Sequence, residues 1–156
     1  MIRIEKLADR HIEAIKSIQL APEQVKFAGT AKEFLAEASD TTHLHVIRLD
    51  NDIVGFFKID TDYASNYDFC PNTAIGLRTF VIDQSQQGKG IGTRAVRALV
   101  LYIAIHYSGY HSIYLTVNCK NPAAKVCYQK GGFQDSEVLY LGGAAGPQYV
   151  MFNHIR

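Results

Sequence analysis

No large charge of either sign, no cluster of basic residues, no long apolar run and no closely paired cysteines occur in this chain of 156 residues. Each absence removes a class of function. Sixteen Lys and Arg against fifteen Asp and Glu leave a formal charge of +1, so no global field gathers nucleic acid or an anionic membrane. The basic residues also form no run, which argues further against a nucleic-acid partner. The longest apolar run, residues 98–105, is far too short to cross a bilayer. The opening MIRIEKLADRH shows none of the basic-then-apolar pattern of a signal peptide. Cys70, Cys119 and Cys127 are odd in number and include no CxxC pair, which speaks against a disulfide framework and a zinc site. His11, His43, His45, His106, His111 and His154 are scattered without metal-ligand spacing, so no metal is expected. No internal repeat, linker or low-complexity tract interrupts the chain, and the expectation is one reduced, cytoplasmic domain over residues 1–156.

What is present has the bulk composition of a globular protein, with 47% apolar and 20% charged residues. Ile2-Arg3-Ile4 alternates as a first strand does. Ile12, Ile15 and Leu20 predict a helix over residues 9–20, broken by Ala21-Pro22-Glu23. TAKEFLAEA predicts a second helix, capped by Thr30 with Glu33 three residues on. THLHVIRL, a DND turn and IVGFFKID predict an antiparallel hairpin; residues 61–73 read as a polar loop, and AIGLRTFVID returns to strand. Val96, Leu99, Val100 and Ile103 predict a helix over residues 90–107, followed by the strand SIYLTV. Asn121-Pro122 opens a short helix that Gly131-Gly132 closes, and FQDSEVLYL and GPQYVMFNHI are two final strands. This order predicts a mixed α/β fold in one domain.

Two stretches carry chemistry. The first is QQGKGIG, residues 86–92, between a strand and a helix. It is neither a P-loop, since GxxxxGK followed by Ser or Thr is not there, nor a dinucleotide fingerprint, since Thr93 stands at the third glycine position. What remains is Gln87-x-x-Gly90-x-Gly92, where freed backbone amides and the positive end of a helix dipole suit a pyrophosphate. Lys89 and Arg94 add positive charge nearby. The second stretch is NCKNPAAKVCYQKGGF, in which Asn121, Ala124 and Tyr128 share a helix face. Taken alone, that face reads as core.

Together, and in this order, the two stretches resemble the GCN5-related N-acetyltransferase (GNAT) superfamily. Gln87, Gly90 and Gly92 match its motif A, while Asn121, Ala124, Tyr128, Lys130, Gly132 and Phe133 match its motif B. The resemblance extends over nearly the whole chain and implies the acyl-CoA N-acyltransferase fold, a mostly antiparallel sheet flanked by helices. It implies acetyl-CoA as cosubstrate and a homodimer. It also implies that Phe80, Val81 and Ile82 offer backbone to the pantetheine arm. Gln87, Gly88, Lys89, Gly90, Ile91 and Gly92 would wrap the pyrophosphate, with Thr93 entering the helix below it; Asn121 would contact the cofactor arm, and Lys130 would also bind the cofactor. Tyr128 would face the thioester sulfur as general acid.

Direct transfer to an amine needs a neutral amine, donors for the oxyanion, for which the backbone amide around Val81 is placed, and a proton for the departing thiolate. Many members of the superfamily carry a glutamate near the start of the strand before motif A; here that position is Gly76, and AIGLRTFVI holds no carboxylate. Asp60, Asp62 and Asp68 are the nearby carboxylates in sequence, and the base is unassigned. His43 and His45 share a strand face without making a site, and Cys119 and Cys127 read as buried fillers. APEQVKFAGTAKEFLAEA, VGFFKID and LRTFVIDQSQQGKG are similar to the spermine/spermidine acetyltransferase-like branch, which implies a polyamine acceptor. Glu23, Glu33 and the acids from Asp60 to Asp68 would face such a polycation. A peptide N-acetyltransferase and a catalytically idle acyl-CoA-binding module are the alternatives.

Overall fold

The computed structural model describes residues 1–20 and 30–155. The predicted break at Ala21-Pro22-Glu23 therefore lies outside the described residues, as does the Glu23 carboxylate. The elements are β1 (Ile2–Lys6), α1 (Ile12–Ser17, entered by a 3-10 turn Asp9–His11), α2 (Ala31–Ala36), β2 (Thr42–Leu49), β3 (Asp52–Asp60) and α3 (Tyr63–Asn66). They continue as β4 (Ala74–Ile82), α4 (Ile91–His106), β5 (Ser112–Asn118), α5 (Pro122–Lys130), β6 (Gln134–Tyr140) and β7 (Gln148–His154). Seven strands form one sheet in the order β1-β2-β3-β4-β5-β7-β6. All neighbours are antiparallel except β4 and β5. This is the mixed, mostly antiparallel sheet flanked by helices that the sequence implied.

The central pair decides where a ligand can enter. β4 and β5 are parallel but share only Ala74 to Gly76 against Ser112 to Tyr114. Beyond those residues they part. β5 stays bonded to β7 over its full length, and β4 stays bonded to β3. A bulge on β4, with Thr79 at φ 49°, turns that strand further and interrupts its pairing between Phe56 and Lys58.

Each sheet face carries its own core. Ile47, Phe57, Ile59, Ile75, Leu77, Ile113, Leu115 and Val117 pack under α4, which contributes Ala95, Val96, Leu99 and Ile103. Each of these Val, Leu, Ile and Phe side chains gains about 1.5–3 kcal/mol by leaving water. That packing fixes the N-terminal end of α4 beside the opening between β4 and β5. On the other face Phe56, Val46, Leu44 and Val81 pack against Ile15 of α1, Ile18 just after it and Phe34 of α2.

Three local differences from the sequence reading have plain causes. α1 stops at Ser17 because Ile18 adopts extended backbone (ψ 131°) to enter the second core. The turn between β2 and β3 uses two residues, Asp50 and Asn51, with Asp50 left-handed at φ 54°. The polar loop over residues 61–73 contains the single turn α3, held inward by Tyr63, which is 2% exposed. Thr30 caps α2 as expected: its hydroxyl oxygen accepts from the Glu33 amide at 3.2 Å and its proton goes to the Glu33 carboxylate. Among the described residues no helix is long and apolar enough to cross a membrane.

Candidate active site

The parting of β4 from β5 opens a cleft of about 460 Å³. Thr79, Phe80 and Ile82 line one wall, and Thr116, Val117 and Asn118 line the other. Gln87, Gly88, Gly90, Gly92 and Thr93 close one end, while Asn121, Ala124, Cys127 and Tyr128 of α5 approach over the top.

At the glycine end the backbone takes a shape that few side chains tolerate. Gly88 and Gly90 sit at φ 79° and 75°, and a Cβ on either would meet no atom within 4 Å. The loop is open on its outer side, and Gly90 is the N-cap of a 16-residue helix. The amides of Ile91, Gly92 and Thr93 lie in the first helical turn, where no intrahelical acceptor exists. Gln87 is anchored by its Nε2 donating to the Ile82 carbonyl at 3.2 Å. Gly92 permits the close passage of α5, since a Cβ there would lie 3.0 Å from Cys127 Sγ.

Tyr128 is 8% exposed, with its ring between Phe80 and Phe133 at centroid distances of 5.8 Å each. Burial, and then the neighbouring Cys127 and Tyr63, push its phenol well above the usual range. It is a neutral donor at every physiological pH. Burial also pushes the Cys127 thiol up, against a lowering hydrogen bond from Thr93. A thiol held protonated is a poor nucleophile, so the cleft has no activated cysteine on which to park an acyl group.

Not every expected residue reaches the cleft. Phe80, Ile82, Gln87, Gly88, Gly90, Gly92, Thr93, Asn121 and Tyr128 do. Val81 does not, because the pleat sends its side chain into the second core, 3% exposed. Ile91, the first residue of α4, is buried in the first core, whereas Lys89 and Lys130 are exposed. Asn121 takes the N-cap position of α5 without a side-chain cap bond, leaving its amide on the cleft wall. Cys119 and Cys127 are half-buried rather than core fillers.

The sequence reading missed Thr79, Thr116, Asn118 and Gln148 on the lining. Only the strand register could have found them. The carboxylates also fall differently. Asp60 is buried at 3% exposure, paired to Arg78 at 3.3 Å and accepting the Asp62 amide at 2.8 Å. Asp62 and Asp68 are exposed. Lys58 is buried and paired with Glu37. His43 and His45 do share a face, where the ring of Tyr107 meets both. Among the described residues no three His, Cys, Asp or Glu side chains gather as a metal site would require.

A sequence profile of the acetyltransferase (GNAT) family matches residues 10–133. The spermine/spermidine N(1)-acetyltransferase of Bacillus subtilis (strain 168) is 28% identical over 146 residues, covering 91% of this chain and 93% of that protein. Among solved structures, the aminoglycoside acetyltransferase AAC(6')-Ib in complex with coenzyme A superposes with TM-score 0.82 at 18% identity, over 99% of this chain and 95% of that one. The spermidine N-acetyltransferase of Vibrio cholerae, in complex with CoA and spermine, gives 0.72 at 15% identity, over 98% and 95%. At these identities the structural likenesses speak for the fold.

Proposed function

The chain belongs to the acetyltransferase (GNAT) family and is an acetyl-CoA-dependent N-acetyltransferase; we propose that its acceptor is a primary amine of a small molecule, foremost a polyamine such as spermidine. The carrying observation is the cleft itself. Its glycine end suits a pyrophosphate, its two parted strands offer unpaired backbone to an amide-bearing arm, and its top presents a buried phenol. Gln87, Gly88, Gly90, Gly92 and Thr93 would hold the pyrophosphate, with Lys89 supplying charge from its exposed position. Phe80, Ile82 and Asn121 would hold the arm. Val81 contributes backbone alone, Ile91 its amide and Lys130 a positive charge at the end of α5. Residues 1–156 act as one domain.

Bound acetyl-CoA supplies the acyl group as a thioester, and the lone pair of the amine forms the new C–N bond as the C–S bond breaks. The chain contributes the rest. Tyr128, kept protonated by burial, gives its proton to the departing sulfur and recovers one as the amine nitrogen sheds its own. The balance is amine plus thioester to amide plus thiol, with no change of oxidation state. Direct attack in a ternary complex is favoured because Cys127, the thiol on the lining, is held protonated.

A polycationic acceptor is supported by the B. subtilis relative and by the exposed acids Asp62 and Asp68 on the α3 loop. A cytoplasmic location and a homodimer are part of the same reading, with neither a nucleic acid nor a membrane as partner. The test is CoA release from acetyl-CoA across polyamines, aminoglycosides, amino acids and short peptides. Turnover with spermidine at millimolar concentration is expected. Turnover with another class while polyamines stay inert overturns the acceptor assignment, and peptide turnover alone points to a protein substrate. Tight acetyl-CoA binding with every amine inert points to an idle module.

A further inference from the structure

Among the described residues no Asp or Glu lines the cleft, so an amine entering it meets only uncharged hydrogen-bond acceptors there. The cleft runs through the sheet from one face to the other. Val117 of β5 packs with α4 and Tyr128 in the first core, and the pleat turns its neighbours Thr116 and Asn118 to the opposite face. Gln148 of β7 stands directly opposite Asn118 in the strand register and shares its face, whereas Tyr149, the next residue, joins the first core. Tyr128 therefore reaches the cleft from the α4 side, and Asn118 and Gln148 from the side left to an acceptor. These two amides are not equivalent. Asn118 is spent: its Nδ2 donates to the Ala145 carbonyl at 3.0 Å and its Oδ1 accepts the Lys120 amide at 2.8 Å. With the Cys119 amide donating to the Pro147 carbonyl at 3.0 Å, it pins the β6–β7 turn beside the cleft. The carboxamide of Gln148 has no hydrogen-bond partner among the described residues. It owes its place to Gly143, since a Cβ there would lie 2.3 Å from Gln148 Nε2. The nitrogen end of the amide thus lies against the turn, and the oxygen end is left to the cleft.

Resting on acetyl transfer as proposed above, we infer that Gln148 is the residue that orients the acceptor: its Oε1 accepts an N–H of the incoming amine on the face of the cleft opposite Tyr128. A carboxamide suits this task better than a carboxylate. An alkylammonium has a pKa near 10.4 and must become neutral before it can attack. A carboxylate at position 148 would make a charge-assisted bond and hold the amine as its cation. The uncharged oxygen of Gln148 takes the same N–H while favouring the charged form far less. One N–H is fixed on Gln148, and the nitrogen lone pair is turned toward the thioester. Gln148 removes no proton, and the balance of the transfer is the one given above.

The test uses the full chain with the amine that gives the highest turnover in the panel. Gln148→Met keeps the length of the side chain and removes both polar ends. It should raise KM for the amine about tenfold, as loss of a hydrogen bond to a charged donor would, with KM for acetyl-CoA unchanged. Gly143→Ala should reproduce part of that rise, because the new Cβ displaces the amide. Gly143 is not left-handed, so no backbone strain accompanies the change. Gln148→Glu separates the role from packing. It should lower KM for the amine and displace the rising limb of the kcat–pH profile upward by about one pH unit, since kcat reports ionisation within the bound complex. An unchanged KM for the amine in Gln148→Met overturns the role, as does a rise confined to acetyl-CoA, which would give the carboxamide to the cofactor arm. A Gln148→Glu enzyme with the wild-type kcat–pH profile overturns it too. Should Gln148→Met fold poorly, the Gln148→Glu and Gly143→Ala variants decide by the same criteria. A wild-type chain silent toward every amine overturns this role and the proposed function together, whereas an active wild type with an indifferent Gln148 overturns this role only.

Discussion

Tyr128 and Cys127 are neighbours in sequence whose fates differ because each has a different job available. The phenol is buried between two aromatic rings and stays protonated, which suits an acid. Replacing Tyr128 with Phe should lower kcat by roughly 10²- to 10⁴-fold, the range for one acid in general catalysis. Acetyl-CoA binding by calorimetry and the melting temperature should stay near wild type, since the ring is kept. Cys127→Ala should retain kcat within about threefold, and mass spectrometry of the wild type with acetyl-CoA should find no acetyl adduct, because a thiol raised by burial attacks poorly. These two residues also mark what was legible. Tyr128 was readable because motif spacing places it on a helix face at a fixed distance from Asn121 and Ala124. Thr116 was not, because the inward side of β5 is set by strand pairing, which a single sequence does not display. The side chain of Val81 turns into the second core because three consecutive residues of a pleated strand cannot all face one cleft, while the backbone contact expected of it does not depend on that side chain.

The helix α4 shows how an element can be specified at both ends for different purposes. Its apolar face, readable from Val96, Leu99 and Ile103, fixes it to the sheet. Its entry is a pair of left-handed glycines that serve no packing need. Gly90→Ala should cost about 1 kcal/mol of stability through the strained φ alone. It should also raise KM for acetyl-CoA several-fold, as the first-turn amides shift, with a smaller effect on kcat. Steady-state kinetics with acetyl-CoA varied checks the split. The helix was predicted to within a residue at either end because glycine, periodicity and burial all agree there. α1 ended early and α3 went unseen because tertiary demands, Ile18 entering the second core and Tyr63 entering the sheet, override local propensity.

The molecule as a whole should be acid-sensitive through a histidine outside the cleft. His45 on β2 is 1% exposed, stacked on Phe57 at 5.1 Å and edge-on to Tyr102. Burial, with His43, Lys6 and His106 nearby, lowers it from 6.5 to about 4, partly offset by its bond to the His43 carbonyl. The sign follows directly. Above pH 6.5 neither folded nor unfolded chain carries this proton, and stability is full. Between pH 6.5 and about 4 the unfolded chain takes it up first, so stability falls as pH falls, by on the order of 2 kcal/mol at pH 5. Urea midpoints at pH 7 and pH 5 should differ accordingly, and the difference should shrink in His45→Phe. An unchanged difference would assign the acid sensitivity elsewhere.

An open sheet ordinarily has two margins, and exposed margins recruit other chains. By parting β4 from β5 after three residues, this one acquires two more, facing each other in the middle. These inner margins are short, bent by the Thr79 bulge, and flanked by side chains such as Leu115 and Val117 that are almost wholly buried. The inner margins thus keep backbone ready for a slender ligand while offering too little straight length for a second polypeptide to lay a strand there.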